Sequence, residues 1–185
     1  MKPVQRTELL DYVTYNEKRD SLRSEALAAK APRRVGVGEY LVFLFENQDT
    51  VRYQVQEMMR VERIVKESDI EHELETYNEL LGGPGELGCT LLIGIDDEAE
   101  RDEKLSAWLD LPAHLYAKLP DGTRVRPTFD PRQVGDTRLS SVQYLKFDVG
   151  GVTPVALGAD LPALSVEVEL DEAQRAALEA DLASE

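Results

Sequence analysis

The spacing of apolar residues in the N-terminal half predicts helices separated by two buried strands. Residues 7–30 carry apolar positions at helical spacing, with a break at residues 11–15. The run EYLVFLFEN is a dense apolar stretch of strand length that ends in polar residues at Asn47. A second run of the same kind, CTLLIGI, begins at Cys89. The pattern therefore predicts two buried strands with helical segments before and between them.

Helix signals lie between the two strands and after the second. The sequence SDIE at residues 68–71 is a capping-box pattern, which predicts that a helix begins at Ser68. The sequence GGPG at residues 82–85 predicts its end. The apolar stripe of this helix consists of Ile70, Leu74, Tyr77 and Leu81. A short charged helix is predicted around Trp108.

From Ala113 onward the pattern is that of β-structure. HLYAKL and TRVRPTF flank Pro120-Asp-Gly122, which predicts a hairpin with Gly122 at positive φ. SVQYLKF predicts another strand, and LSVEVEL alternates strictly, as a sheet with one solvated face requires. Asp171 predicts the cap of a C-terminal helix. The fold class is therefore α+β, with N-terminal helices packed on a mainly antiparallel sheet and a C-terminal helix. We expect one domain over residues 1–185, with a subdomain boundary near residue 112 as the alternative.

Glu62 departs from the apolar pattern of its own helix. In a helix over residues 49–66, Glu62 falls in the middle of the apolar stripe. The apolar members of that stripe are Val51, Val55, Met58, Met59 and Val65. Burial of an unpaired carboxylate costs several kcal/mol. We therefore expect Glu62 to be a metal ligand, a general base or half of a buried ion pair, for which Arg19 is the natural partner. Glu57 is expected on the opposite side of this helix.

The amino-acid composition limits which binding partners and which cellular compartment we expect for this protein. The chain has 185 residues, 42% of them apolar, which is enough for a core, and no run of about 18 apolar residues that could cross a membrane. The start MKPVQRTELLDY lacks the apolar stretch of a signal peptide. The single cysteine, Cys89, fits a reducing cytoplasm and excludes an intrachain disulfide. The net charge of −15 argues against nucleic acid or an anionic membrane as a partner.

A histidine and nearby carboxylates raise the question of a metal site. His72 shares a helix face with Glu75 and Glu79, opposite the apolar stripe. An imidazole with a carboxylate one turn away can bind iron, zinc or manganese. A di-iron site needs a Glu-x-x-His pair on each of two helices, and this order is absent here. A mononuclear site of His72, Glu75 and a distant carboxylate is therefore the metal hypothesis, and a solvated polar face is its alternative.

Other chemical signatures are missing or point to structural roles. No GxSxG, P-loop or GxGxxG motif follows a predicted strand. Cys89 enters an apolar strand, which favours an inert core thiol over a nucleophile. His114 begins a strand without an obvious partner, so we expect it on the surface.

Three blocks of the sequence resemble a known family. LFENQDTVRYQVQEMMRVERI, IEHELETYNELLGGPGELGCTLLIGI and RLSSVQYLKF are similar to the uncharacterised bacterial family known as domain of unknown function 3501. The resemblance implies no activity. Members tend to be encoded beside rubrerythrin-like proteins and iron–sulfur proteins of the heterodisulfide-reductase type, which implies a role near iron-dependent redox chemistry or peroxide defence. The resemblance also singles out a block of residues for a site, namely Glu46, Asn47, Asp49, Gln56, Glu57, Arg60, Glu62, Arg63, His72, Glu73, Tyr77, Asn78, Pro84, Gly85 and Glu86.

Two functions remain open at this point. The first is a non-enzymatic accessory or binding protein that docks on an iron-containing redox partner, and the acidic composition suits transient docking to a basic surface. The second is a metal-dependent or acid–base enzyme that uses the polar groups of residues 46–86. In either case we expect a ligand or partner cleft where the first buried strand ends. Its side chains are predicted to be Glu46, Asn47, Arg60, Glu62, His72 and Glu86. The alternative is that these groups cap helices and tie loops.

Overall fold

Eight strands form two antiparallel sheets in the computed structural model, which describes residues 1–184. Sheet A has the strand order β1-β2-β3-β6, and sheet B has the order β5-β4-β7-β8. The strands are β1 (Arg34–Val37), β2 (Leu41–Phe45), β3 (Glu86–Ile93), β4 (Leu115–Lys118), β5 (Arg124–Val125), β6 (Val142–Asp148), β7 (Ala156–Leu161) and β8 (Leu164–Glu169).

Within residues 1–184, six α-helices accompany the sheets. They are α1 (Tyr12–Lys30), α2 (Gln48–Glu62), α3 (Glu67–Asn78), α4 (Glu98–Ala107), α5 (Leu111–His114) and α6 (Glu172–Ala183). None of the helices in this described part combines the length and apolar character needed to cross a membrane. The α+β class and the C-terminal helix are thus confirmed.

Local signals in the sequence correctly locate most of these elements. The two predicted buried strands pair as β2 and β3, with Phe45 opposite Cys89. β4 and β5 form the predicted hairpin, and Gly122 has a φ of 89°. Asp171 accepts a hydrogen bond from the Gln174 backbone N–H, while the Gln174 side chain accepts one from the Asp171 backbone, which completes the predicted cap of α6.

The capping-box prediction at Ser68 is wrong. Helix α3 begins at Glu67, its N-cap is Lys66 in an extended conformation, and no side chain caps it. The Ser68 hydroxyl lies inside the first turn and donates to Asp69. Before α3, helix α2 ends with its C-cap Arg63, whose backbone is left-handed with a φ of 55°. Only a short connection therefore joins α2 to α3.

The main core lies between the inner faces of the two sheets. Phe43 and Phe147 of sheet A pack against one another, with ring centroids 6.4 Å apart. Leu115 and Leu157 of sheet B and Leu178 of α6 belong to the same buried cluster. Residues from both sides of position 112 therefore share this core.

A second apolar cluster holds the N-terminal helices together. It contains Val51, Val55 and Met59 of α2 with Ile70 and Leu74 of α3. The connection from α3 to β3 then crosses the outer face of sheet A, because the backbone carbonyl of Leu80 lies against Gly88 of β3. This contact brings the C-terminal end of α3 next to the sheet and positions the cleft described below.

Candidate functional site

The prediction that Glu62 is buried is wrong. Glu62 is the last residue of α2 and is exposed, as is Arg63 after it. The buried stripe of α2 ends at Met59, and Val65, which the helical extrapolation placed on the same stripe, is 74% exposed. The reason is the left-handed turn at Arg63, because it takes the chain away before another helical turn can form. Nothing in the burial of Glu62 therefore marks it as a metal ligand or general base.

The partly buried carboxylate of α2 is Glu57, and it pairs with Arg19, the residue expected to pair with Glu62. Arg19 of α1 donates from Nε and Nη2 to the two carboxylate oxygens of Glu57 at 2.8 and 2.9 Å. Tyr15 donates its hydroxyl to Glu57 at 2.7 Å, and Arg60 donates a longer bond of 3.1 Å. The Glu57 side chain is only 16% exposed. Helix α1 covers this side of α2, so the polar side of the isolated helix becomes an interface.

These donors lower the pKa of Glu57 to about 2, mainly through the Arg19 hydrogen bonds.

We expect Glu57→Gln to lower the free energy of unfolding by about 1–3 kcal/mol at pH 7. A carboxylate whose pKa falls on folding stabilises the protein above its unfolded pKa, and this contribution is lost as the pH falls. The difference between wild type and variant should therefore shrink between about pH 4.5 and pH 2 in urea titrations. The exposed Glu62→Gln is the control and should change stability by less than about 0.5 kcal/mol. A Glu57→Gln effect of that small size would contradict the prediction.

Glu46 and Asn47 leave β2 at the start of α2 and make local contacts. Glu46 accepts hydrogen bonds from the Thr50 and Thr90 hydroxyls at 2.5 and 3.0 Å. Asn47 is the N-cap of α2 and exchanges hydrogen bonds with Thr50. Asn47 also donates to Asp181 of α6 at 3.4 Å. Both residues thus fasten the β2–α2 junction.

Other residues predicted for the cleft make no hydrogen bond or ion pair with this junction in the described part of the chain. Arg60 binds Glu57, and Glu86 accepts from the Gly83 backbone N–H at 3.0 Å. His72 is exposed on α3. In the described residues, no hydrogen bond or ion pair joins Arg60, His72 or Glu86 to one another or to Glu46 and Asn47. Their convergence on one ligand stays a prediction.

The positions of the side chains bear on the hypothesis that His72 and Glu75 bind a metal. Among residues 1–184, no group of three or more His, Cys, Asp or Glu side chains is arranged to hold a metal ion. A metal ion held by His72 and Glu75 would therefore need further ligands other than the His, Cys, Asp and Glu side chains of the described residues. Cys89 is fully buried, and this burial raises its pKa well above that of a free thiol, as expected for a core residue.

His114 does have a partner, contrary to the sequence-based expectation. Its Nδ1 lies 3.2 Å from a carboxylate oxygen of Asp160 on the neighbouring strand β7. Arg126 also binds Asp160, and together with the histidine it lowers the pKa of this carboxyl to about 2. The residues are 46 positions apart in the chain, so only the sheet register brings them together.

A concave site lies between the end of α3 and the outer face of β6. We call it the α3–β6 cleft. It is an open cavity of about 550 Å³. Its lining residues are Thr76, Tyr77, Glu79, Leu80, Cys89, Thr128, Phe129, Asp130, Gln133, Tyr144, Leu145 and Lys146. A volume of several hundred Å³ with aromatic walls and a few polar groups is typical of ligand sites.

One wall of the cleft is a segment that continues sheet A beyond β6. The backbone of Thr128 exchanges two hydrogen bonds with Lys146, at 2.8 and 2.9 Å. The side chain of Gln133 takes the place of a further strand, because it accepts from the Tyr144 N–H at 2.6 Å and donates to the Tyr144 carbonyl at 3.1 Å. The edge of β6 is therefore covered by this segment.

Three aromatic side chains face the α3–β6 cleft. Tyr144 is 48% exposed on β6, and Phe129 lies on the covering segment. Tyr77 comes from α3, and its pKa is raised mainly by burial and also by the nearby carboxylate of Glu73. Sequence reasoning found only Tyr77, through the family resemblance. Tyr144 had a readable signal, since it alternates with the buried Gln143 and Leu145 and so had to point outward.

Comparisons with known proteins give a family but no activity. One similar solved structure is described as a crystal structure of a novel protein of unknown function from Burkholderia pseudomallei K96243. It is 27% identical in sequence, the match covers 98% of this chain and 100% of that one, and the TM-score is 0.88. No curated protein matches the chain. The family model described as protein of unknown function (DUF3501) matches residues 3–182. The chain therefore belongs to the DUF3501 family.

Proposed function

We propose that this protein is a non-enzymatic, cytoplasmic binding protein that receives a segment of a partner protein in the α3–β6 cleft. The observation that carries the proposal is the cleft itself, because it joins about 550 Å³ of concave space to three aromatic side chains, two of which lie on α3 and β6. Aromatic residues are enriched at the centres of protein interfaces, where they bury large areas with little loss of conformational entropy. Tyr144 is the central anchor in this proposal.

The family resemblance supplies the candidate partner. Members of the family tend to be encoded beside rubrerythrin-like proteins and iron–sulfur proteins, and we propose a protein of this redox class as the partner. The net charge of −15 would speed association with a basic partner surface. The competing proposal is a metal-dependent or acid–base enzyme that uses the polar residues 46–86.

The proposal is tested by measuring binding to the rubrerythrin-like protein of the same genome. We expect Tyr144→Ala to raise the dissociation constant at least about tenfold in isothermal titration calorimetry. An effect of this size is typical of an anchor residue. Tyr12→Ala is the matched control, because Tyr12 begins α1 and does not line the cleft. Equal affinity for both variants would overturn the role of the cleft.

Metal analysis of the protein purified without a histidine tag separates the two proposals. Stoichiometric iron, zinc or manganese would favour the enzyme, and His72→Ala should then remove the metal. A binding protein that works through the cleft needs no such metal, and its affinity for the partner should be unchanged by a chelator.

A further inference from the structure

The α3 wall of the α3–β6 cleft is strongly anionic. Helix α3 together with Glu79, which directly follows it, has six Asp and Glu residues and no Lys or Arg. Two of the carboxylates on α3 have cationic partners, since Glu67 pairs with Arg6 and Asp69 with Lys66. Within residues 1–184, Glu71, Glu73, Glu75 and Glu79 form no ion pair; of these, Glu79 lines the cleft, and it lies near the charge of Arg132. Helix α3 thus adds negative charge beside the cleft, and Arg132 offsets part of it at Glu79.

The opposite wall supplies little compensating charge. Arg132 donates from Nε and Nη2 to Asp130, so these two charges neutralise one another. Lys146 is the one Lys or Arg among the described residues that line the cleft. Glu79 lines it from the α3 side. With Arg132 counted, the charges that line the cleft balance, and Glu73, which lies near Tyr77, makes the surroundings negative.

The aromatic rings of the cleft also lack cationic partners. Elsewhere in the described chain, Arg or Lys lies over four rings, for example Arg124 over Tyr116 at 4.3 Å and Lys104 over Tyr40 at 4.9 Å. No such cation lies over Tyr77, Phe129 or Tyr144 in the part of the chain that the structure describes. The face of an aromatic ring attracts ammonium and guanidinium groups. Tyr77 and Phe129 are half-buried and pack against the apolar clusters, whereas Tyr144 is 48% exposed. Tyr144 is thus the ring offered to a cation from another molecule.

We propose that the α3–β6 cleft recognises a Lys or Arg side chain on a basic segment of the partner protein. The cation lies against the ring of Tyr144, and Glu79 supplies the opposing charge. This assignment rests on the proposed function for its site and adds the chemistry of the occupant. It also explains how an acidic protein selects its partner, because neutral and acidic segments lack the group that both the rings and the carboxylates attract.

Short peptides of defined charge test this assignment without the natural partner. The probes are acetylated pentapeptide amides of sequence GRGRG, GKGKG, GLGLG and GEGEG, titrated into the ¹⁵N-labelled full chain and followed by NMR. We expect GRGRG and GKGKG to shift the amide signals of residues 76–80 and 128–146, with affinity at least about fivefold tighter than GLGLG and GEGEG. Binding should weaken as NaCl is raised, because screening acts on the charge term.

Two variants locate the interaction. Glu79→Gln and Tyr144→Ala should each weaken GRGRG binding about threefold or more. Glu103→Gln is the matched control, because it removes the same charge from α4, outside the cleft. An equal effect of Glu79→Gln and Glu103→Gln would overturn the local role of the cleft charge.

The outcomes separate this inference from the function on which it rests. If GLGLG binds the cleft as well as GRGRG does, the inference fails while the cleft remains a binding site. If no peptide shifts cleft signals and Tyr144→Ala leaves partner affinity unchanged, the proposed function fails as well. If the cationic peptides shift signals only outside the cleft, the assignment of the cation to Tyr144 and Glu79 is overturned.

Discussion

We expect Gly88→Ala to cost at least about 3 kcal/mol of unfolding free energy, a lowering of the melting temperature by about 6–12 °C for a chain of this size. A Cβ at Gly88 would overlap the Leu80 carbonyl oxygen and come within 2.9 Å of the Gly82 nitrogen. Both obstacles are backbone atoms, so no side-chain rotation can relieve them. The chain between α3 and β3 would have to move away from sheet A.

Gly36→Ala is the matched control for this prediction. Gly36 also lies in a strand of sheet A, and a Cβ there meets nothing within 4 Å. We expect it to be neutral or to stabilise by a few tenths of a kcal/mol, because alanine restricts the unfolded chain. Urea unfolding followed by circular dichroism measures both variants. A loss below about 1 kcal/mol for Gly88→Ala would show that the α3–β3 connection is not packed as described.

The same substitution connects stability to the proposed site. Leu80 lines the α3–β6 cleft and its carbonyl rests on Gly88. A displaced connection would carry Tyr77 and Glu79 away from Tyr144. We therefore expect any Gly88→Ala protein that remains folded to lose GRGRG binding as well, while Gly36→Ala binds normally.

Asp181→Ala should be the second severe change, with a loss of about 3–5 kcal/mol in the same urea experiment. Asp181 and Arg33 form a bidentate pair at 2.7 and 2.8 Å, and their side chains are 6% and 12% exposed. Arg33 follows α1, whereas Asp181 lies in α6 and also meets Asn47 at the start of α2. Removing the carboxylate leaves the buried guanidinium without its counter-charge.

Two controls separate burial from charge in this prediction. The double variant Arg33→Met with Asp181→Leu should recover part of the loss, because it removes both charges and keeps apolar volume. Arg138→Ala breaks the exposed pair with Asp102, whose side chains are 48% and 60% exposed, and should cost less than about 1 kcal/mol. Similar losses for Arg138→Ala and Asp181→Ala would contradict the explanation by burial.

Local patterns along the chain determined most of the secondary structure. The apolar runs ending at Asn47 and beginning at Cys89, the turn at Gly122 and the cap at Asp171 each act within a few residues. Their physical causes, namely alternation, backbone conformation and capping hydrogen bonds, are therefore visible in the sequence. The α+β class followed from the order of these elements.

The tertiary structure decided which polar groups are buried and which meet. Helical periodicity placed Glu62 on the apolar stripe, but the turn at Arg63 ended the helix there, and α1 partly covers Glu57 instead. Arg19 was expected to pair with Glu62, whereas the packing of α1 on α2 places it on Glu57. The pairing of His114 with Asp160 likewise depends on strand register.

The α3–β6 cleft shows why the functional site was hardest to derive. Tyr77 and Tyr144 are separated by more than sixty residues and lie on a helix and a strand from different parts of the chain. Their proximity depends on the contact of Leu80 with Gly88 and on the pairing of β3 with β6. Periodicity reports which face of an element is buried, whereas the distance between two elements depends on packing across the whole core. The sequence by itself thus determined the elements and their polar faces, and the tertiary structure decided which of those faces form a site.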